Sequence, residues 1–288
     1  MKRLILIVFS VLLVCACPGR GQDETPFWHT TPADSLLAER ILTQLKEYPD
    51  ESVPVLMARA AQALEGQPYV AGTLEERPRE ELCIYLTRTD CILFVETCLA
   101  LARTARQDGG FRQFAEELRQ SRYRDGRITA YADRLHYTLD WERQGIRRGT
   151  LEDLTPSLGG LAYPHPVHYM SDHPDAYPRL DDLPAIRAAE ERINAEPFRY
   201  IPKNQVEAVL GSIRTGDILC FVSAIEGLDI LHVATAVVDA DGTVRFRHAS
   251  TGAMKVILEP RTLQQYLAGR RNLAGIQVLR PLDCKSGG

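Results

Sequence analysis

Leu36, Leu37, Ile41, Leu42 and Leu45 recur at helical spacing, which predicts a first helix capped by Asp34 or Ser35. A second helix is expected to start near Pro54, carry Val55, Leu56, Ala60 and Leu64, and stop at Gly66. Residues 67–82 mix glycine, prolines and acidic residues and read as a loop. Over 91–104 apolar residues surround most of the helical wheel instead of forming one stripe. Such a helix is expected to be buried on nearly all sides. Residues 111–123 show the amphipathic pattern of a surface helix. The stretch 149–184 is rich in Pro, His, Tyr, Asp and Gly with weak periodicity, and so long a loop in a compact domain is usually functional. Residues 184–194 and 203–210 are predicted helices.

The pattern then changes to strands. Residues 218–225, 230–238, 244–249, 255–258 and 275–279 carry β-branched runs, and Asp239-Ala240-Asp241-Gly242 is a turn signal between the second and third. The chain is thus read as α+β, helical first and mostly β last. Period-2 alternation points Ile230, His232, Ala234, Ala236 and Val238 one way, with Val244, Phe246 and His248 together on the next strand. Arg245 and Arg247 face away, toward water. A hairpin closed at 239–242 brings position 232 opposite 248 or 249, so the two histidines fall within side-chain reach.

Composition adds limits. The formal charge of −4 and the lack of a basic stripe argue against nucleic acid as a partner. Lys2 and Arg3 followed by the apolar run 4–14 have the form of a signal peptide, too short to span a bilayer comfortably. Val14-Cys15-Ala16-Cys17 resembles the lipobox of bacterial lipoproteins. That resemblance implies a lipid anchor at Cys17; the alternative is cleavage after Ala16 and a soluble periplasmic protein. Export is expected either way. The expected organisation is a signal peptide (1–16), a linker (17–33) and one catalytic domain (34–284) with cleft loops near 67–82 and 149–184. Beyond Cys17 the five cysteines 83, 91, 98, 220 and 284 are odd in number, irregularly spaced and without a C-x-x-C pair. They suit neither a disulfide framework nor a cysteine zinc site.

One cysteine stands apart. Asp90-Cys91 opens the buried helix, where free backbone N–H groups and the helix dipole are expected to stabilise a thiolate. His232 would take its proton, and His248 would hold the His232 ring in the right tautomer. Asp90 reads as the helix cap. Cys98 and Cys220 read as inert core residues. Each of the three residues alone has an ordinary structural reading; the combination points to a cysteine hydrolase.

These residues resemble the NlpC-type cell-wall hydrolases of the papain-like superfamily: Asp-Cys opening a buried helix, a strand with Leu-His-Val, and a histidine on the next strand. Gly66-Gln67-Pro68-Tyr69-Val70-Ala71-Gly72 resembles their Gly-x-Pro-Tyr-x-x-Gly segment, which implies that Tyr69 shapes the site. The segments 90–102, 133–141, 168–177, 227–236 and 247–256 further resemble the N-acetylmuramoyl-L-alanine amidase-like family of Gram-negative bacteria. The resemblance covers about residues 35–280. It implies a papain-like fold with the nucleophile helix packed on a C-terminal antiparallel sheet, and no metal or other cofactor. It also implies Cys91, His232 and His248 as the triad, and hydrolysis of the bond between the muramyl lactyl group and L-alanine in muropeptides. Ile92, where the family often has Thr or Ser, and His168-Tyr169, in place of an Asn-Phe type pair, depart from the pattern.

Arg134, His136 and Trp141 are candidate substrate contacts, by carboxylate pairing or stacking on a sugar, or else parts of an amphipathic edge. Ser171 and His173 are candidate contacts from the long loop. His165, His168 and His173 with Asp172 could suggest zinc, but prolines interrupt the spacing and it fits no regular ligand geometry. Two other functions remain open: an endopeptidase cutting within the stem peptide, and a non-enzymatic lipoprotein that binds wall fragments.

Overall fold

The computed structural model describes residues 27–196 and 198–284. The expected signal peptide and Cys17 lie outside them. The first half is helical, with α1 (Pro32–Lys46), α2 (Val53–Ala63), α3 (Cys91–Arg106), α4 (Phe111–Arg122) and α5 (Thr138–Arg147). A short parallel pair, β1 (Trp28–Thr30) with β2 (Leu82–Ile84), lies against α4. The long middle segment holds β3 (Leu151–Asp153), β4 (Leu161–Ala162), the short α6 (Tyr169–Asp172) and α7 (Leu183–Asn194). The last third is β5 (Arg199–Pro202), β6 (Ile218–Ser223), β7 (Ile230–Val238), β8 (Val244–Ser250), β9 (Lys255–Leu258), α8 (Leu263–Ala268) and β10 (Leu273–Pro281).

Eight of the described strands form one antiparallel sheet in the order β4-β5-β10-β6-β7-β8-β9, with β3 added on β10. Alternation along the strands gives it two apolar faces. Cys220, Val222, Val233, Ala249 and Val256 join the core of the helical half. Leu219, Phe221, Ala234, Ala236 and Phe246 meet Leu263, Tyr266 and Leu267 of α8 on the other side. The sheet is therefore a middle layer between the helices and α8.

α3 explains its own composition. It touches α1, α2, α4, β7 and β8. Phe94, Val95, Leu99 and Leu101 are all within 3% of full burial. Burying one such side chain stabilises the fold by about 1.5–3 kcal/mol relative to leaving it exposed. Its one buried acid, Glu96, accepts from Arg122 Nε at 2.8 Å, and Arg122 also donates to the Cys83 carbonyl at 2.6 Å.

Several elements differ from the sequence pattern. α1 starts earlier than expected, at Pro32 under the Thr31 cap, which leaves Asp34 inside the first turn. The Asp34 carboxylate is buried and accepts from Leu86 N, Thr87 N and Thr87 Oγ1, each at 2.8 Å. It ties α1 to the segment that leads into α3. Residues 203–212 form a 3-10 turn, Lys203–Ser212, in place of an α-helix. Its three-residue repeat puts the buried Val206 and Val209 on one side, against the sheet.

The β7–β8 hairpin closes on the pair Val238↔Val244, with Gly242 at φ +83° in the turn. Thr235 pairs with Arg247, so the same register carried on puts 250, two beyond 248, opposite 232. A bulge at Leu231 separates the pairs Phe221↔His232 and Val222↔Ile230. It turns Ile230 into the helical-side core, away from the face it was expected to share with His232. Arg247 does not reach water freely: its side chain is 12% exposed and pairs with Glu65 at 3.2 Å.

The two expected loops are held in place. Val70 N donates to Thr89 O at 2.9 Å and Tyr69 N to Met254 O at 3.0 Å. In the second, Val167 and Met170 join Tyr137, Leu139 and Ile186 in a small core of their own. No helix among the described residues is long and apolar enough to cross a membrane.

Candidate active site

Cys91 is the first residue of α3. Asp90 caps that helix through its carboxylate, which accepts from Leu93 N at 2.9 Å. The bond occupies the Leu93 N–H, while the backbone N–H groups of Val233, Ile92 and Cys91 favour the anionic sulfur. A cavity of about 230 Å³ opens over the thiol, bounded by Tyr69, Leu231, His232, His248, Ser250, Thr251, Tyr266, Arg270, Asn272 and Leu273. Four sequence-predicted residues, Tyr69, Cys91, His232 and His248, thus share one cavity.

The histidines are coupled directly. His232 Nε2 lies 2.7 Å from His248 Nδ1, with the rings at 83° to each other. If His232 presents a lone pair at Nδ1, its Nε2 carries the proton and donates to His248 Nδ1. His248 then carries its own proton at Nε2, which faces Glu259 Oε2 at 3.4 Å without a well-formed hydrogen bond. The Glu259 side chain is 3% exposed, and Arg261 Nε donates to it at 2.7 Å. Glu259 N donates to Phe246 O, so β9 pairing reaches past Leu258 and sets Glu259 on the same face as His248, two positions along. His232, His248 and Glu259 therefore stand on three consecutive strands of one sheet.

Electrostatics correct the expectation of a preformed thiolate. Burial and the neighbouring Asp90 charge push the Cys91 pKa up to about 12, and the three backbone amides only partly offset them. Burial, with His248 and Arg270 adding to it, lowers His232 to about 3. Burial lowers His248 to about 4, against the pull of Glu259. Each of these shifts favours the uncharged form, the thiol at Cys91 and the imidazole at His232 and His248. The helix start does favour the anion, but desolvation beside a carboxylate outweighs it. Tyr69 is likewise held neutral, its pKa raised to about 12 by burial and then by Cys91 and Asp90.

The other predicted contacts lie elsewhere. Arg134 is 6% exposed and bonds Glu75 at 2.6 Å, with Glu80 at 3.4 Å. It borders a separate hollow of about 170 Å³ together with His136, Asp90 and Ile92. His136 packs at a 38° tilt against the Tyr131 ring and bonds its carbonyl at 2.9 Å. Trp141 is 2% exposed in the main core, its indole donating to Ser121 Oγ at 2.9 Å. Ser171 Oγ donates to the His168 carbonyl, and His173 stacks on Tyr169, both away from the Cys91 cavity. His168 pairs with Asp172 at 2.7 Å, and no group of three or more metal-ligating side chains occurs among the described residues.

Sequence reasoning missed Glu259, Tyr266, Arg270 and Asn272. Only Glu259 left a signal: reading the β8–β9 pairing as a tight hairpin across 251–254 would have placed it beside His248. The other three come from α8 and the turn that leads from it into β10, whose approach to Cys91 is a tertiary matter.

A model of the AmiA-like, N-acetylmuramoyl-L-alanine amidase-like family matches residues 59–276. The chain belongs to this family. Its span in the amidase-like family takes in Tyr69, Cys91, His232, His248, Glu259 and Arg270. A crystal structure of an N-acetylmuramoyl-L-alanine amidase from Bacteroides uniformis is 33% identical, with TM-score 0.76, covering 80% of this chain and 99% of that one. A Bacteroides fragilis structure whose name suggests a xylanase is 34% identical, with TM-score 0.72, covering 77% and 99%. A Legionella pneumophila protein, 20% identical with TM-score 0.67 over 87% and 95% of the two chains, shares the fold. No curated protein matches the chain. Membership makes this amidase-like protein a mixed helix-and-sheet member of a cell-wall amidase family.

Proposed function

We propose that this amidase-like protein is a papain-like, NlpC-type cysteine hydrolase that cleaves the amide between N-acetylmuramic acid and L-alanine in muropeptides. The observation that carries the reading is the meeting of Cys91, His232 and His248 in one cavity, with the two imidazoles 2.7 Å apart. The sulfur attacks the lactyl carbonyl as its proton passes to His232 Nδ1. The imidazolium so formed is held by His248 and, behind it, Glu259. It gives the proton to the departing L-alanine amine, which leaves a lactyl thioester. Water then hydrolyses the thioester, with His232 as base, and restores the thiol. The Cys91 amide and the neutral Tyr69 phenol serve as donors to the oxyanion.

The xylanase name borne by one relative does not suit this cavity. A glycosidase of the usual kind needs two carboxylates across the scissile bond, and no residue bounding the cavity carries one. The basic start at Lys2 and Arg3, the apolar run 4–14 and Ala16-Cys17 support export to the periplasm with a lipid anchor at Cys17. Incorporation of labelled fatty acid, absent from Cys17→Ser, tests the anchor.

Wild type and Cys91→Ala, incubated with purified muropeptides and followed by mass spectrometry, test the reaction. Wild type alone should release intact stem peptide from the sugar, with or without chelator. Turnover by Cys91→Ala would remove the cysteine mechanism, and cuts within the peptide would make the protein an endopeptidase.

A further inference from the structure

Among the side chains bounding the Cys91 cavity, Arg270 alone carries a permanent charge. It lies just past α8, at the turn into β10, with its guanidinium 4.2 Å from the centre of the Tyr266 ring. No carboxylate among the described residues forms an ion pair with it, although nearly every other half-buried arginine here has one. Its Nε is buried without a hydrogen-bond partner. Its charge reaches both catalytic imidazoles, where it disfavours their protonation. A cation that opposes imidazolium formation burdens the proposed reaction unless something else neutralises it. Glu259 does not, because it is already engaged by Arg261 and faces His248.

We propose that Arg270 binds an anionic group of the substrate, namely a carboxylate of the peptide on the leaving side of the scissile amide. This rests on the muramoyl-amidase reading for the choice of ligand. In an N-acetylmuramoyl peptide the sugar is neutral and its lactyl carboxyl is tied up in the amide. Every carboxylate belongs to the peptide, so a cation beside Cys91 has its partner there. Asn272, Ser250 and Thr251 supply uncharged hydrogen-bonding groups in the same cavity. A bound carboxylate would also cancel the Arg270 field at His232, so the base takes its proton more readily once substrate is present.

Two reagents of nearly equal size probe the cation without assuming the substrate. Iodoacetate and iodoacetamide both alkylate a thiol with loss of iodide and a proton, but only the first brings a carboxylate. The ratio of their rates at Cys91 should exceed the ratio for glutathione by about tenfold, the lower range of charge-directed enhancement. Arg270→Lys should keep most of that preference and Arg270→Gln should lose it. A wild-type ratio equal to that of glutathione, or one unchanged in Arg270→Gln, overturns the proposal. The substrate arm compares N-acetylmuramoyl-L-alanine with its C-terminal carboxamide. Wild type should show the lower KM for the acid, and Arg270→Gln should level the two chiefly through KM. An equal fall in kcat on both compounds would instead make Arg270 an oxyanion stabiliser and overturn the proposal. A preserved alkylation preference with neither compound cleaved would uphold the anion site and refute the amidase reading.

Discussion

His248→Ala tests the coupling at the centre of the site. In the resting protein His232 Nε2 has one partner, His248 Nδ1, at 2.7 Å. Removing it frees the His232 ring to turn and leaves its Nε2 proton unpaired when the ring becomes charged. A hydrogen bond to a charged group is worth about 1.5–3 kcal/mol. At about 1.4 kcal/mol per factor of ten, kcat should fall roughly ten- to 150-fold while the Cys91 reaction survives. KM should change little, because the lost bond is strengthened only as His232 takes the proton. Glu259→Gln should cost less, about two- to tenfold, since Glu259 sits 3.4 Å from His248 Nε2 and outside good hydrogen-bond geometry. The assay is stem-peptide release under saturating muropeptide, with unfolding curves to establish that both variants are folded. A folded His248→Ala protein with kcat within twofold of wild type would refute the coupling, whatever Glu259→Gln does.

Three further outcomes are expected. Arg122→Met leaves the Glu96 carboxylate buried without its partner, and should lower unfolding free energy by about 3–5 kcal/mol in urea titration; a loss under 1 kcal/mol would contradict the ion-pair account. Gly216 sits at φ +92° with the Pro54 carbonyl where a Cβ would go, so Gly216→Ala should destabilise by about 3 kcal/mol and push the start of α2 away from the turn that leads into β6. Burial, then Arg134, lowers His136 to about 3, so between pH 6.5 and 3 the unfolded chain binds a proton there that the native state does not. Stability from this residue is complete above pH 6.5 and declines as the solution is acidified. His136→Gln should therefore lose less stability than wild type between pH 6.5 and 4, and parallel curves would rule this out.

The sequence determined what local chemistry determines. Apolar residues all round 91–104 can be satisfied only by burial, and α3 is enclosed by helices and sheet. Alternation around His232 and His248 put both side chains on one face, and only the short reach between strands was needed to couple them. The order and spacing of Asp90, Cys91 and the strand histidines also carried the family resemblance. Tertiary structure decided the rest, because the deciding quantities are sums over distant segments. Whether Cys91 is a thiolate depends on how completely the surrounding segments exclude water, a balance a helix start cannot reveal. Arg134 and Trp141 look like ligand contacts in one dimension, yet Glu75 and Ser121 claim them in three. The β7–β8 register turned on how the 239–243 turn closes, and the direction of Ile230 on one bulge at Leu231. Arg270 becomes informative only when folding sets it beside Cys91, from nearly 180 positions away, with no carboxylate to meet it.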